Sequence, residues 1–590
     1  MSAAPSRPVV EAATHRLAGT RHRALETARN RLLTCGVVLT LAFTVMAFRV
    51  VDLTVLDNEA AARPLPVAEG AGAGRGDIRD RNGELLATTL LTDSVYADPK
   101  EIGDPEAALA DLMRIFPDLD RTVMRARLTS ESRFVWIRRG ITPPQREQVM
   151  ALGIPGIAFR KEPRRIYPQG RAVAHVVGVT NIDGRGIAGV EETYNEQLAA
   201  GQPLRLAVDI RVQNILRREL AGAQREFSAL GAAGMVLDVE SGDVVGMVSL
   251  PDFDPNEPAP DSDDEARFNR VTKGVYEMGS TMKLFTVAMA LDSGTTTLMG
   301  GYDATKPLKV GRFTINDYHG KHRWLSTREI LVYSSNIGSA RMALDVGMSL
   351  QRQYLQRFGI LQKPALGLPE VGGPIVPHPW GELSTMTVAY GHGIAVSPLQ
   401  LANGVAALVN GGILRPVRIA QRNEGDVEVA SQQVVSGRTS KQMRGLMRDV
   451  VLHGTGGKAD VPGYKIGGKT GTAEKEVHGR YVQDARISSF VGAFPIDAPR
   501  YVVLAMLDEP KGNRSTANYA TGGVVAAPIV ARIVRHMAPL LGIPPAPDDD
   551  LPDGVRRAAA PTVAGHRQRA PVEAAKPAPV KKREKQFAAN

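Results

Sequence analysis

Three short groups of residues stand in order along this 590-residue chain: Ser280-Thr281-Met282-Lys283, Ser334-Ser335-Asn336 and Lys469-Thr470-Gly471-Thr472. A serine hydroxyl is a poor nucleophile until a neighbouring base takes its proton. A lysine three residues on shares a helix face with the serine, and it serves as that base when burial and nearby cations lower its pKa. Ser280 and Lys283 have this spacing. A lone Ser-x-x-Lys pair arises by chance about once or twice in a chain of this composition. Followed by Ser-x-Asn and then by the much rarer Lys-Thr-Gly-Thr, it becomes an ordered set suited to acyl transfer through a serine ester.

Each group needs an element to hold it. Ser280 follows Gly279 and opens the apolar stretch Met282, Leu284, Phe285, Val287, Ala288, Met289 and Leu291, which reads as a largely buried helix closing near Gly294. At the start of such a helix, an attacked carbonyl lies near backbone N–H groups and the positive end of the helix dipole. Ser334 and Asn336, two apart in a non-helical turn, can face the same way, although a helix cap or Asx-turn uses the same residue types. Gly467 and Gly468 ahead of Lys469 suit a strand that another backbone approaches closely. A peptide along that edge would gain main-chain hydrogen bonds. Residues 234–239 and 244–250 flank the turn Glu240-Ser241-Gly242-Asp243 as a β-hairpin, 487–494 and 501–507 read as strands, and 524–541 as a closing helix. Strands at both ends of a helical middle predict an α/β layered domain with a central, mainly antiparallel sheet. Gly391-His392-Gly393 reads as a backbone turn, although its histidine could tempt a catalytic reading.

Beyond the three groups, the chain carries Arg75-Gly76-Asp77-Ile78-Arg79-Asp80, Arg164-Arg165-Ile166-Tyr167-Pro168, Ala174-His175-Val176-Val177-Gly178, the stretch from Asn181 to Glu191, and Pro251-Asp252-Phe253-Asp254-Pro255-Asn256. Over most of residues 75–535 it resembles the class B penicillin-binding proteins, peptidoglycan D,D-transpeptidases, and above all the monofunctional enzyme of the division septum. The resemblance implies a β-lactamase-like transpeptidase domain preceded by a transmembrane helix and an α+β pedestal. It implies that Ser280 is acylated with Lys283 as its base, and that Ser334 and Asn336 relay protons and orient the peptide. Lys469 then adds positive charge, while Thr470, Gly471 and Thr472 bind substrate, the threonines holding its terminal carboxylate. Backbone N–H groups of Ser280 and Thr472 form the oxyanion hole. The implied substrate is the D-Ala-D-Ala end of a stem peptide, with β-lactams as inhibitors, no metal or cofactor, and other envelope proteins as partners. The family often has proline where this chain has Met278, and some relatives carry more sequence between Gln202 and Asp209.

Topology follows from charge and hydropathy. Residues 32–48 form a run of 17 without a charge, extended by Val50 and Val51 around Arg49. That is just long enough to span a bilayer if Arg49 snorkels to the interface. Six arginines against two glutamates in residues 1–31, with Asp52, Asp57 and Glu59 after the span, place the N-terminus in the cytoplasm. A cleaved signal peptide and a buried core helix are the rivals, and for the first the Ala60-Ala61-Ala62 pattern lies far beyond the apolar run. The expected organisation is a basic tail over 1–31, an anchor over 32–51, a linker over 52–74, the pedestal over 75–225, the transpeptidase domain over 226–541 and a disordered tail over 542–590.

The net charge of +10 sits largely at the two ends, since 542–590 hold nine Lys or Arg against six Asp or Glu. The nearly neutral body has no basic stripe for nucleic acid. The single cysteine, Cys35, lies in the span, which excludes disulfide scaffolds and cysteine-based metal sites outside the membrane. Three alternatives use the same residues: an elongation-specific transpeptidase, a carboxypeptidase or β-lactamase that passes the acyl group to water, and a scaffold that keeps only the fold.

Overall fold

The computed structural model describes residues 33, 36–37, 39–46, 74–257, 264–422, 430–477 and 480–546. Residues 33, 36–37 and 39–46 are helical, with Leu33, Val37, Leu39, Leu41, Phe43 and Val45 each more than half exposed. The basic tail, the remainder of the expected span with Cys35, the linker up to residue 73 and the C-terminal tail from 547 lie outside the described residues.

The chain divides into two compact units: 1–79, 85–168 and 179–204 in the first, and 80–84, 169–178 and 205–590 in the second. In the first unit the long strand Leu85–Ala97 pairs antiparallel with Ile78–Arg79, Val135–Ile141 and Ile157–Ile166. The helices Pro105–Ile115, Arg121–Leu128 and Pro143–Ala151 start where Asp104, Asp120 and Thr142 accept otherwise orphaned N–H groups. Their apolar faces, with Leu109, Leu112, Met124, Leu128 and Val149, close a core on Val95, Ala97 and Ile137. Three of the sequence stretches quoted above meet in this unit on Glu191, which is wholly buried. Its Oε2 takes the Arg75 Nε–H at 2.5 Å and its Oε1 the Arg165 Nε–H at 2.7 Å.

The second unit is built on a five-stranded sheet in the order Gly467–Val477, Arg480–Phe494, Tyr501–Asp508, Gly231–Asp238, Val244–Leu250. Every neighbouring pair is antiparallel, and the expected hairpin around Gly242 is its far edge. Ala232, Val236, Val245, Phe490 and Val503 meet the helices Ile210–Glu226 and Ala527–Leu540 in one core. Ala233, Met235 and Leu237 point the opposite way by strand alternation, and the buried helix Pro398–Val409 packs against that strand. The continuous apolar runs of the central strands follow from this cover on both faces.

Two boundaries differ from the sequence expectation. The helix Ile210–Glu226 belongs to the second unit, because Val212, Leu216 and Leu220 are in its core. The closing helix is broken at Ala526 into Gly522–Val525 and Ala527–Leu540, since Pro528 lacks an N–H and starts a new helix. By length and composition Gly522–Leu540 could cross a membrane, yet Ile529, Ile533 and Val534 lie in the sheet core.

Candidate active site

The serine of the first group stands not on an α-helix but on a single 3-10 turn, Gly279–Met282, and the α-helix begins at Lys283 and runs to Asp292. Gly279 takes φ 54° and donates its N–H to the Gly391 carbonyl at 3.2 Å. Gly391, at φ 82°, has the backbone of Gly279 so close that a Cβ there would lie within 3 Å of it. Thr281 Oγ1 donates to the Met278 carbonyl at 2.9 Å. The loop that carries Ser280 is therefore braced internally and held by a neighbouring turn, and the Gly391-His392-Gly393 stretch is the turn its glycines predict. His392 Nδ1 lies 3.0 Å from Glu277, with its ring stacked on Tyr481.

Lys283 is fully buried, and its Nζ donates to Ser280 Oγ at 3.0 Å, to Ser334 O at 2.7 Å, to Ser334 Oγ at 3.1 Å and to Asn336 Oδ1 at 2.6 Å. Ser334 sits between the helices Thr327–Val332 and Asn336–Val346 with φ 59°, the left-handed conformation that lets the chain reverse there. Its hydroxyl lies between two lysine nitrogens, because Lys469 Nζ reaches Ser334 Oγ at 3.0 Å. Lys469 is also wholly buried, and its other partners are the carbonyl and hydroxyl of Thr470 at 3.2 and 3.3 Å. Burial, and then the positive charge of Lys469, hold the Lys283 ammonium well below the ordinary lysine range, opposed in part by the Asp317 carboxylate. Burial alone brings Lys469 down to about 7.

Lys469, Thr470, Gly471 and Thr472 lie on Gly467–Val477, which among the described residues is an edge strand paired with Arg480–Phe494. A Cβ at Gly471 would stand 2.6 Å from the Met278 carbonyl, so glycine is what allows this strand to lie against the nucleophile loop. Thr470 Oγ1 pairs with Thr455 Oγ1 at 2.8 Å, and Thr472 Oγ1 accepts the Gly522 N–H at 3.0 Å. The five residues Ser280, Lys283, Ser334, Asn336 and Lys469 thus form one hydrogen-bonded cluster beside an open strand edge.

Two residues that the sequence reading did not single out complete the cluster. Asp317 accepts from the N–H groups of Asn336 and Ile337 and from the Ser335 hydroxyl. The Asn316 carbonyl accepts the Asn336 amide. The signal available was an Asn-Asp pair in a loop, which has no spacing rule tying it to Ser334.

Known proteins of one family resemble this chain in sequence and in fold. Residues 232–535 match the family model described as Penicillin binding protein transpeptidase domain, and 71–205 match Penicillin-binding Protein dimerisation domain. The chain is 40% identical over 490 residues to the Probable peptidoglycan D,D-transpeptidase FtsI of Caulobacter vibrioides, covering 81% of this chain and 83% of that one. It is 32% identical over 507 residues to the Probable peptidoglycan D,D-transpeptidase PenA of Neisseria meningitidis, covering 80% and 85%. The crystal structure of Penicillin binding protein 3 from Mycobacterium tuberculosis, complexed with ampicillin, is similar with a TM-score of 0.65 and 25% identity, over 82% of this chain and 98% of that one.

Proposed function

The chain belongs to the class B penicillin-binding proteins, and from that premise we propose that it is a membrane-anchored peptidoglycan D,D-transpeptidase of the division septum, working through an ester on Ser280. The observation that carries the reading is the buried Lys283 Nζ, in hydrogen-bond reach of Ser280 Oγ, Ser334 Oγ and Asn336 Oδ1 at once. With its pKa lowered, Lys283 is available as the neutral amine that a base must be.

In this mechanism Lys283 removes the Ser280 proton and Oγ attacks the carbonyl between the two D-Ala residues of a donor stem. The donor backbone runs along the edge of Gly467–Val477, with its carboxylate held by Lys469, Thr470 and Thr472. The oxyanion forms against the N–H groups of Ser280 and Thr472, an arrangement worth about 3 kcal/mol per donor. The proton passes from Lys283 through Ser334 Oγ to the leaving D-Ala nitrogen as the carbon–nitrogen bond breaks. An amine of a neighbouring stem then attacks the ester, its proton passes to Lys283, and Ser280 regains its hydroxyl as the cross-link forms. A β-lactam enters the same path at the first attack and stays on Ser280 as an ester.

Division over elongation is supported by the residue 181–191 stretch and the Ser-Ser-Asn form of the second group. Fluorescent penicillin labels the wild-type protein and does not label Ser280→Ala; equal labelling of both would sink the nucleophile assignment. Incubation with a D-Ala-D-Ala substrate and an acceptor amine yields the cross-linked product, whereas free acid alone would favour a hydrolase. Depletion in cells produces filaments, and rounded cells would instead point to elongation.

A further inference from the structure

Asp317 has no task in the acylation scheme above, yet its carboxylate meets three donors of the Ser334 turn. Oδ1 accepts the backbone N–H of Asn336 at 2.5 Å and of Ile337 at 3.0 Å, and Oδ2 accepts the Ser335 hydroxyl at 2.7 Å. The helix Asn336–Val346 already has its cap, since Ser335 Oγ accepts the Gly338 N–H at 3.0 Å. Asp317 is therefore an additional, anionic acceptor supplied from a separate segment. Next to it, the Asn316 carbonyl takes the Asn336 Nδ2–H at 2.9 Å. With Nδ2 occupied, Asn336 has its Oδ1 left for Lys283, and that atom stands 2.6 Å from Nζ. Ser334, at φ 59°, holds a conformation that persists in a non-glycine residue where surrounding contacts over-determine it.

We propose that Asp317 is a positioning residue for acylation: it fixes the Ser334–Asn336 turn so that Ser334 Oγ and Asn336 Oδ1 both face Lys283, and it sets one negative charge where it acts on that buried lysine. The inference rests on the assignment of Lys283 as the base of Ser280. The charged groups acting on Lys283 are Lys469, which opposes its protonation, and Asp317, which favours it. Loss of the Asp317 charge thus lowers the pH at which Lys283 gives up its proton, and the rising limb of acylation moves to lower pH.

The test measures the acylation rate constant of the full-length protein with a chromogenic cephalosporin across pH, beside the folded fraction from thermal melting. Asp317→Ala removes the acceptors and is expected to lower the rate about 10²-fold, the effect of misplacing a catalytic group by an ångström. Asp317→Asn keeps the shape but not the charge; its rising limb moves to lower pH with a smaller loss of rate. A wild-type rate in Asp317→Ala, a loss explained by unfolded protein, or superimposable profiles for Asp317→Asn and wild type would overturn the proposal. Ser280→Ala, run in parallel, reports separately on the nucleophile assignment.

Discussion

Lys283 and Lys469 stand on either side of the Ser334 hydroxyl, and two buried ammonium groups so close repel each other. Lys283 must be neutral to act as a base, so acylation rises with pH as Lys283 loses its proton, below the ordinary lysine range. In Lys469→Met the repulsion is gone and Lys283 holds its proton to higher pH. The rising limb should move upward, with a fall in rate of about 10²-fold as the substrate carboxylate loses its buried partner. Stopped-flow acylation from acid to alkaline pH checks this, and a limb that stays put or moves down would refute the coupling. The same depressed value has a consequence for stability. Between about pH 7, where Lys469 titrates in the fold, and about 10.4, where an unfolded lysine titrates, the unfolded chain binds more protons, so stability rises with pH. Melting of Lys469→Met should show a shallower rise across that window. Ser280, Lys283, Ser334, Asn336 and Lys469 were legible in the sequence because each sits in a local spacing with its own chemical logic. Asp317 was not, because it acts on backbone N–H groups 19 and 20 residues away, and any loop aspartate looks the same in one dimension.

At the level of elements, the nucleophile loop is clamped between a turn and a strand by close backbone approach. Gly391 lets the carbonyl of its own turn accept the Gly279 N–H, and a side chain there would push into the Gly279 backbone. Gly391→Ala is therefore expected to displace the loop, lowering acylation about tenfold or more while the sheet and its melting transition persist. Penicillin labelling kinetics beside circular dichroism decide the matter, and a wild-type rate would mean that the turn does not hold the loop. The strands were readable beforehand, since those buried on both faces leave largely apolar runs such as 244–250 and 501–507. The helix Ile210–Glu226 shows the limit of that approach. Its outer face carries Arg211, Arg218 and Glu226 and its inner face Val212, Leu216 and Leu220, a pattern that reports an amphipathic helix without saying which core it joins. The 3-10 turn at Ser280 was equally hidden, because Gly279 at φ 54° and the neighbouring strand decide it, not the apolar periodicity that follows.

Over the whole molecule, each unit has its own core, and the candidate site residues Ser280, Lys283, Ser334, Asn336 and Lys469 all belong to the second. The first is stitched by Glu191, whose carboxylate serves Arg75 and Arg165 while all three side chains are almost fully buried. Glu191→Ala leaves two guanidinium groups buried without their partner, a change that costs about 3–5 kcal/mol. The first unit should then melt earlier, while penicillin labelling of Ser280 below that transition stays near wild type; loss of both together would show that the catalytic unit depends on the first. The proposed function also demands a particular membrane topology. Stem peptides lie outside the cytoplasm, so the proposed function requires residues 75–546 to be exported. The charge pattern predicts this: the arginines of 1–31 stay inside and the apolar run from 32 to 48 spans, while Asp52, Asp57 and Glu59 follow on the far side. An alkaline phosphatase reporter, which is active when exported, should be active when joined after residue 74 and inactive when joined after residue 31. Because a cleaved signal peptide would pass the same assay, the full-length protein must also remain with the membrane after alkaline extraction. Release into the soluble fraction would replace the anchor with a leader peptide, and activity of the residue 31 fusion would invert the topology and remove the site from its substrate.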